Sequence, residues 1–152
     1  MRLMAGLLGL LLLTQVAESA PSHRLPVEKI VIETRGGPRT FHMEVASDDA
    51  SRDYGLMYRK HLAADAGMLF DFRAQVMTAF WMKDTPFPLD IIFIRADGTI
   101  STVAAIAVPY STAQIPSAEP IRAVIEINGG LAQRLGIAPG DRVRAPIFGA
   151  GR

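Results

Sequence analysis

The sequence predicts a mainly β domain, a β-sandwich or small jelly-roll-like barrel with one or two short helices; an α+β arrangement is the alternative. Three observations carry that expectation. The apolar runs are short and recur at strand length. Glycine, proline and Asp-Gly pairs punctuate them. Helical spacing survives only in two brief stretches.

In chain order, Pro21 to Pro26 reads as a lead-in and Lys29 to Thr34 as a first strand. Arg35-Gly36-Gly37-Pro38 is a turn signal. From Thr40 to Ala46 the pattern alternates, with Phe41, Met43 and Val45 on one face and His42 and Glu44 on the other, so the two runs form a hairpin. Ser47 or Asp48 can cap a helix reaching about Met57, which Gly55 weakens near its end. Strand-like runs follow at Gly67–Phe72, Val76–Met82, Leu89–Ala96 and Thr99–Ile106, with Asp97-Gly98 as a hairpin turn. Ala107 to Pro120 is a Pro- and Ser-containing loop of a length associated with function or mobility. Ile121 to Asn128 is the next strand, Gly130 to Leu135 a helical turn, and Arg142 to Ile147 a last strand after Gly140-Asp141.

Composition bounds the function classes. The chain has 152 residues, no cysteine and a formal net charge of +1. Disulfides contribute nothing, and the electrostatic footprint of a nucleic-acid binder is missing. Met1-Arg2, the apolar run Leu3 to Leu13 and the small residues Ala17, Ser19 and Ala20 have the order of a secretory signal. A retained membrane anchor is the rival, but Thr14, Gln15 and Glu18 break the run short of the ~20 apolar residues a span requires. The expected organisation is therefore a signal peptide over 1–20, a lead-in and first strand over 21–40, the core of the same domain over 41–147, and a tail over 148–152. The expected address is periplasmic or secreted, with no stable membrane insertion after cleavage.

Two carboxylates are out of character with their strands. Asp90 shares a face with Ile92 and Ile94, and Glu126 shares one with Val124. A carboxylate withdrawn from water needs a cation or several donors, and Arg52, Arg59 and Lys83 are the available cations. The bland expectation is structural ion pairing; the sharper one is a polar pocket with Asp90 or Glu126 as base or ligand anchor. Trp81-Met82-Lys83-Asp84 is the densest cluster of distinctive residues, and Trp81 beside Lys83 is either a stacking platform or a packed rim residue. The candidate polar cluster is thus Arg52, Arg59, Trp81, Lys83, Asp84, Asp90 and Glu126.

Other chemistries find little support. His23, His42 and His61 lack metal-ligand spacing, and the methionines Met43, Met57, Met68, Met77 and Met82 form no tight group. No nucleophile elbow, phosphate loop or dinucleotide fingerprint is present. No cofactor and no metal are expected.

Several segments together resemble a known family. They are Arg52-Asp53-Tyr54-Gly55-Leu56-Met57-Tyr58-Arg59, Gly67-Met68-Leu69-Phe70, Phe80-Trp81-Met82-Lys83-Asp84-Thr85, Pro88-Leu89-Asp90-Ile91-Ile92-Phe93-Ile94, Val124-Ile125-Glu126-Ile127-Asn128-Gly129-Gly130 and the stretch Gly136 to Val143. In combination they resemble the bacterial and archaeal domain of unknown function 192, over about Phe41 to Val143. The resemblance implies a mostly β domain and no established activity; many members carry export signals. The family usually has Asn where this chain has Asp84.

The sequence thus points to an exported, non-catalytic binding or envelope accessory domain, its partner a small ligand or an envelope protein. An envelope glycan-directed hydrolase or lyase using Asp90 or Glu126 as base is the alternative. A structural component of an envelope complex, docking through Trp81, is a third.

Overall fold

The computed structural model describes residues 24–149. The signal segment over 1–20 lies outside the described residues. Nine strands follow in chain order: β1 (Val27–Thr34), β2 (Gly37–Ala46), β3 (Ala66–Val76), β4 (Ala79–Phe80), β5 (Leu89–Ile94), β6 (Ile100–Ala107), β7 (Ile115–Pro116), β8 (Ile121–Asn128) and β9 (Arg142–Arg144). Helices α1 (Asp49–Tyr54) and α2 (Leu131–Leu135) and a 3₁₀ turn at Pro146–Phe148 complete the domain. The mainly β expectation with short helices holds.

Seven strands form one sheet in the order β6-β5-β8-β3-β2-β1-β9, and β4 pairs with β7 apart from it. Alternation dictates the hairpin: Phe41, Met43 and Val45 are buried while His42 is exposed. The sheet curls until its ends approach. Strand β9 pairs with β1, Thr99 bridges to Arg142, and the Ile100 amide donates to the Asp141 carbonyl at 2.8 Å. Two cores result. The concave core draws Ile30 and Ile32, Leu69, Ile94, Ile125 and Val143 from strands right across the sheet, and α2 contributes Leu131. The convex core gathers Met68, Phe70, Phe93 and Val124 under Leu56 and Met82.

Strands β2 and β3 run parallel, so the chain crosses over through α1. Asp48 caps that helix in a reciprocal box: its carboxylate accepts the Ser51 amide at 2.9 Å, and Gly55 ends the helix at φ 51°. This confirms the sequence reading of its start and shortens its end.

Three boundaries differ from expectation. Val76 to Met82 is not one strand: β3 reaches Val76 through a register shift after Asp71, and only Ala79–Phe80 pairs again. Met82 buries as a loop side chain against the convex core and Phe80 of the short β4 packs beside it, and an apolar run reads the same either way. The last strand stops at Arg144 because Pro146 lacks an amide donor and opens the 3₁₀ turn. The loop from Ala107 to Pro120 holds the short β7.

Candidate functional site

Strand β8 is an interior strand flanked by β3 and β5, which puts Glu126 between Met68 of β3 and Ile91 of β5. Its side chain shares the convex face with Val124, as the alternation predicts. Glu126 is only 4% exposed, and no described residue hydrogen-bonds or ion-pairs with its carboxyl. Desolvation alone pushes its pKa up to about 8. The group is therefore mainly a neutral carboxylic acid at pH 7, able to donate one hydrogen bond and accept another.

The same face shows how a carboxylate is ordinarily settled. Glu44 of β2 stands opposite Met68 in the same cross-strand row. Arg59 grips it through both guanidinium nitrogens at 2.6 Å each, and this bond raises the Arg59 pKa. Glu126 has no such clamp.

It opens instead on a cleft of about 740 Å³, lined by Leu56, Phe70, Phe80, Trp81 and Thr85 among others. Helix α1 and the segment after it form one wall, and the Phe80–Thr85 stretch forms the other. Two cations reach the rim. Arg52 lies 5.4 Å over the Phe72 ring, donates to the Asp71 carbonyl at 2.9 Å and ion-pairs with Asp49. Lys83 sits 5.5 Å over the Trp81 ring and 4.0 Å from the Asp84 carboxylate. Asp84 itself adopts φ 53°, the left-handed region that Asn and Asp tolerate best, and accepts the Tyr58 hydroxyl at 2.9 Å. That conformation suits either Asn or Asp at this position.

The seven residues singled out from sequence therefore separate. Arg52, Trp81, Lys83 and Glu126 converge on the cleft, with Asp84 beside it. Arg59 belongs to Glu44 and to a neighbouring groove. Asp90 is on the opposite, concave face, and the expectation that a cation holds it is corrected. Its carboxylate accepts the backbone amides of Ile106 at 2.8 Å, Gly130 at 2.9 Å and Ala132 at 2.8 Å, fastening the start of α2 to β5 and β6. Donors that belong to the backbone leave no mark in a sequence.

Sequence reasoning also missed Tyr58 and Tyr110. They line the neighbouring groove of about 450 Å³ with Pro86, and Tyr58 lines the main cleft as well. Both have positive φ, 61° and 60°, which no residue pattern signals for tyrosine. Among the described residues, no group of three His, Cys, Asp or Glu is placed to hold a metal ion. No described helix is long and apolar enough to cross a membrane.

The family model DUF192, described as an uncharacterized ACR, matches residues 30–145. No curated protein matches the chain. A crystal structure from Sinorhizobium meliloti 1021, described as a candidate transcription regulator, is 43% identical, with a TM-score of 0.79 over 82% of this chain and 97% of that one. A protein of unknown function from Novosphingobium aromaticivorans DSM 12444 is 40% identical, with a TM-score of 0.79 over 87% of this chain and 94% of that one.

Proposed function

The chain belongs to the DUF192 family, and we propose that it is an exported, non-catalytic binding protein holding a small neutral ligand in the convex-face cleft. The observation that carries this reading is Glu126, a buried carboxyl without a partner among the described residues, facing a cleft that mixes aromatic and aliphatic walls with Arg52, Asp53, Lys83, Thr85 and Gln114. A desolvated polar group left without a protein partner is costly to the fold, and a bound hydroxyl or amide would relieve it. A neutral acid matches neutral polar ligands better than anions or cations. The signal-like order of residues 1–20 supports export.

A hydrolase or lyase acting on envelope glycans is the second reading, favoured by one fact: a carboxyl pKa of about 8 suits a general acid on a glycosidic oxygen. Asp90 has no place in it, being on the other face and occupied by three amides. The relative described as a candidate regulator raises nucleic acid as a ligand, yet this chain carries a net charge of +1, and the arginines nearest the cleft are engaged by Asp49 and Glu44.

Thermal-shift titration with neutral mono- and disaccharides and short amides tests the binding reading. A ligand that raises the melting temperature should lose most of that effect in Glu126→Leu and keep part of it in Glu126→Gln. Equal shifts in all three proteins would sink the reading, and sugar release from envelope glycan that Glu126→Gln abolishes would replace it with the enzyme. Export is checked by sequencing the N-terminus of protein recovered outside the cytoplasm. A start near Ala20 or Pro21 is expected, and an intact Met1 contradicts it.

A further inference from the structure

The exposed aromatic residues of this domain gather in one place. Among the described residues, Trp81 at 40%, Tyr58 at 55% and Tyr110 at 63% are the aromatics classed as exposed. All three line the main cleft or the groove that adjoins it, and Tyr58 lines both. Exposure of large rings is unfavourable, so their convergence on one face asks for a reason.

They are also held in place. The Tyr58 amide donates to the Asp84 carbonyl at 2.7 Å and the Tyr110 amide to the Thr85 carbonyl at 3.1 Å, while the Met82 amide donates to the Ser111 carbonyl at 2.8 Å. Each exposed ring thus stands on, or is tied by backbone to, the single stretch Trp81–Thr85. Tyr58 and Tyr110 both sit in the left-handed region, a strained choice for a bulky side chain that persists only where neighbouring structure enforces it. The result is a set of three backbone-anchored rings distributed over the Glu126 cleft and the groove that shares Tyr58 with it.

We infer that these rings form a track that receives a neutral glycan chain, one sugar entering the cleft above Glu126 and its neighbours stacking along Tyr58 and Tyr110. The inference rests on the binding reading and names its ligand class. Sugar rings present apolar C–H faces to aromatic planes and hydroxyl edges to polar groups, which is the mixture found here. A single-stranded nucleic acid would also stack, but it requires free cations along its phosphates. Here Arg59 is clamped by Glu44, Lys83 stands near Asp84, and Lys60 is a single exposed cation on the groove, faced there by the Asp84 carboxylate as well. Charge complementarity therefore favours an uncharged polymer.

The experiment is calorimetric titration of the full-length protein with β-1,4-linked glucose and β-1,4-linked N-acetylglucosamine, each as single sugars, disaccharides and longer chains. Affinity should rise with chain length and then level off. Tyr110→Ala should weaken the longer chains about tenfold, the loss of one stacking platform, and leave the single sugar unchanged. Tyr110→Phe should restore the longer chains. Single-sugar binding that depends on Glu126 but shows no gain with length would overturn the track and leave the cleft reading standing. Binding indifferent to Glu126 would remove the cleft reading, and the track with it. No binding of either series, or tighter binding of oligothymidylate than of any glycan, would overturn the inference.

Discussion

On the concave face of the sheet, Asp90 is fully buried and takes three backbone amides. On the convex face of the adjoining strand, Glu126 is almost as deeply buried and takes none. Both residues interrupt apolar strands, and both stand out in the sequence for that reason. Burial therefore does not separate the two carboxyl groups; the donors around them do. Asp90 is part of the framework because it accepts the Gly130 and Ala132 amides at the start of α2. Glu126 has no donor among the described residues and lines the cleft instead.

The largest effect expected from this contrast is a pH dependence. Glu126 keeps its proton in the folded state up to about pH 8, whereas an unfolded glutamate releases it near 4.5. Between those values the folded state binds more protons, so stability falls as pH rises, by about 5 kcal/mol across the window. Urea unfolding from pH 4.5 to 9 checks this. Glu126→Gln should flatten that slope and raise stability at the alkaline end; an unchanged slope would mean that Glu126 is not the titrating group.

Asp90→Asn should act the opposite way. An amide cannot accept on both of its termini, so at least one amide proton of Gly130, Ala132 or Ile106 loses its acceptor, at a cost of about 2–4 kcal/mol near neutral pH. Ligand-induced thermal shifts should survive. A variant that melts with the wild type would show that α2 has other means of attachment. Gly67→Ala tests the close packing of β3 against β8: a Cβ there would meet the Glu126 carbonyl at 2.6 Å and the Met43 sulfur at 2.7 Å. A loss of about 1–3 kcal/mol by thermal melting is expected from such crowding. Smallest of all, Arg59→Lys replaces the fork on Glu44 with a single ammonium. Partial exposure of the pair limits the loss to under about 1 kcal/mol, and glycan affinity in the main cleft should hold.

Much of this was legible in the sequence because alternation is a local signal. The hairpin, the bounds of β8 and the faces assigned to Asp90 and Glu126 all follow from period-two patterning, and the Asp48 cap follows from its neighbours. What stayed hidden depended on distant backbone. Asp90 is satisfied by amides 16 to 42 residues away, and no side-chain inventory lists them. Tyr58 and Tyr110 owe their exposure to positive φ angles enforced by the Trp81–Thr85 stretch, so nothing near either tyrosine marks it. Met82 misled for the converse reason: burial without pairing looks like a strand.

The strand order also sets a timetable. Strand β8 is written late in the chain yet lies in the interior of the sheet, between β3 and β5. While residues 121–128 are still being synthesised, β1 to β3 and the β5–β6 hairpin are two separate pieces, each with an open edge waiting for the same missing strand. The cleft floor does not exist until that strand arrives, since it brings Glu126 with it. A domain assembled in this order stays unfinished, and so able to be threaded as an open chain, until nearly its whole length has left the ribosome.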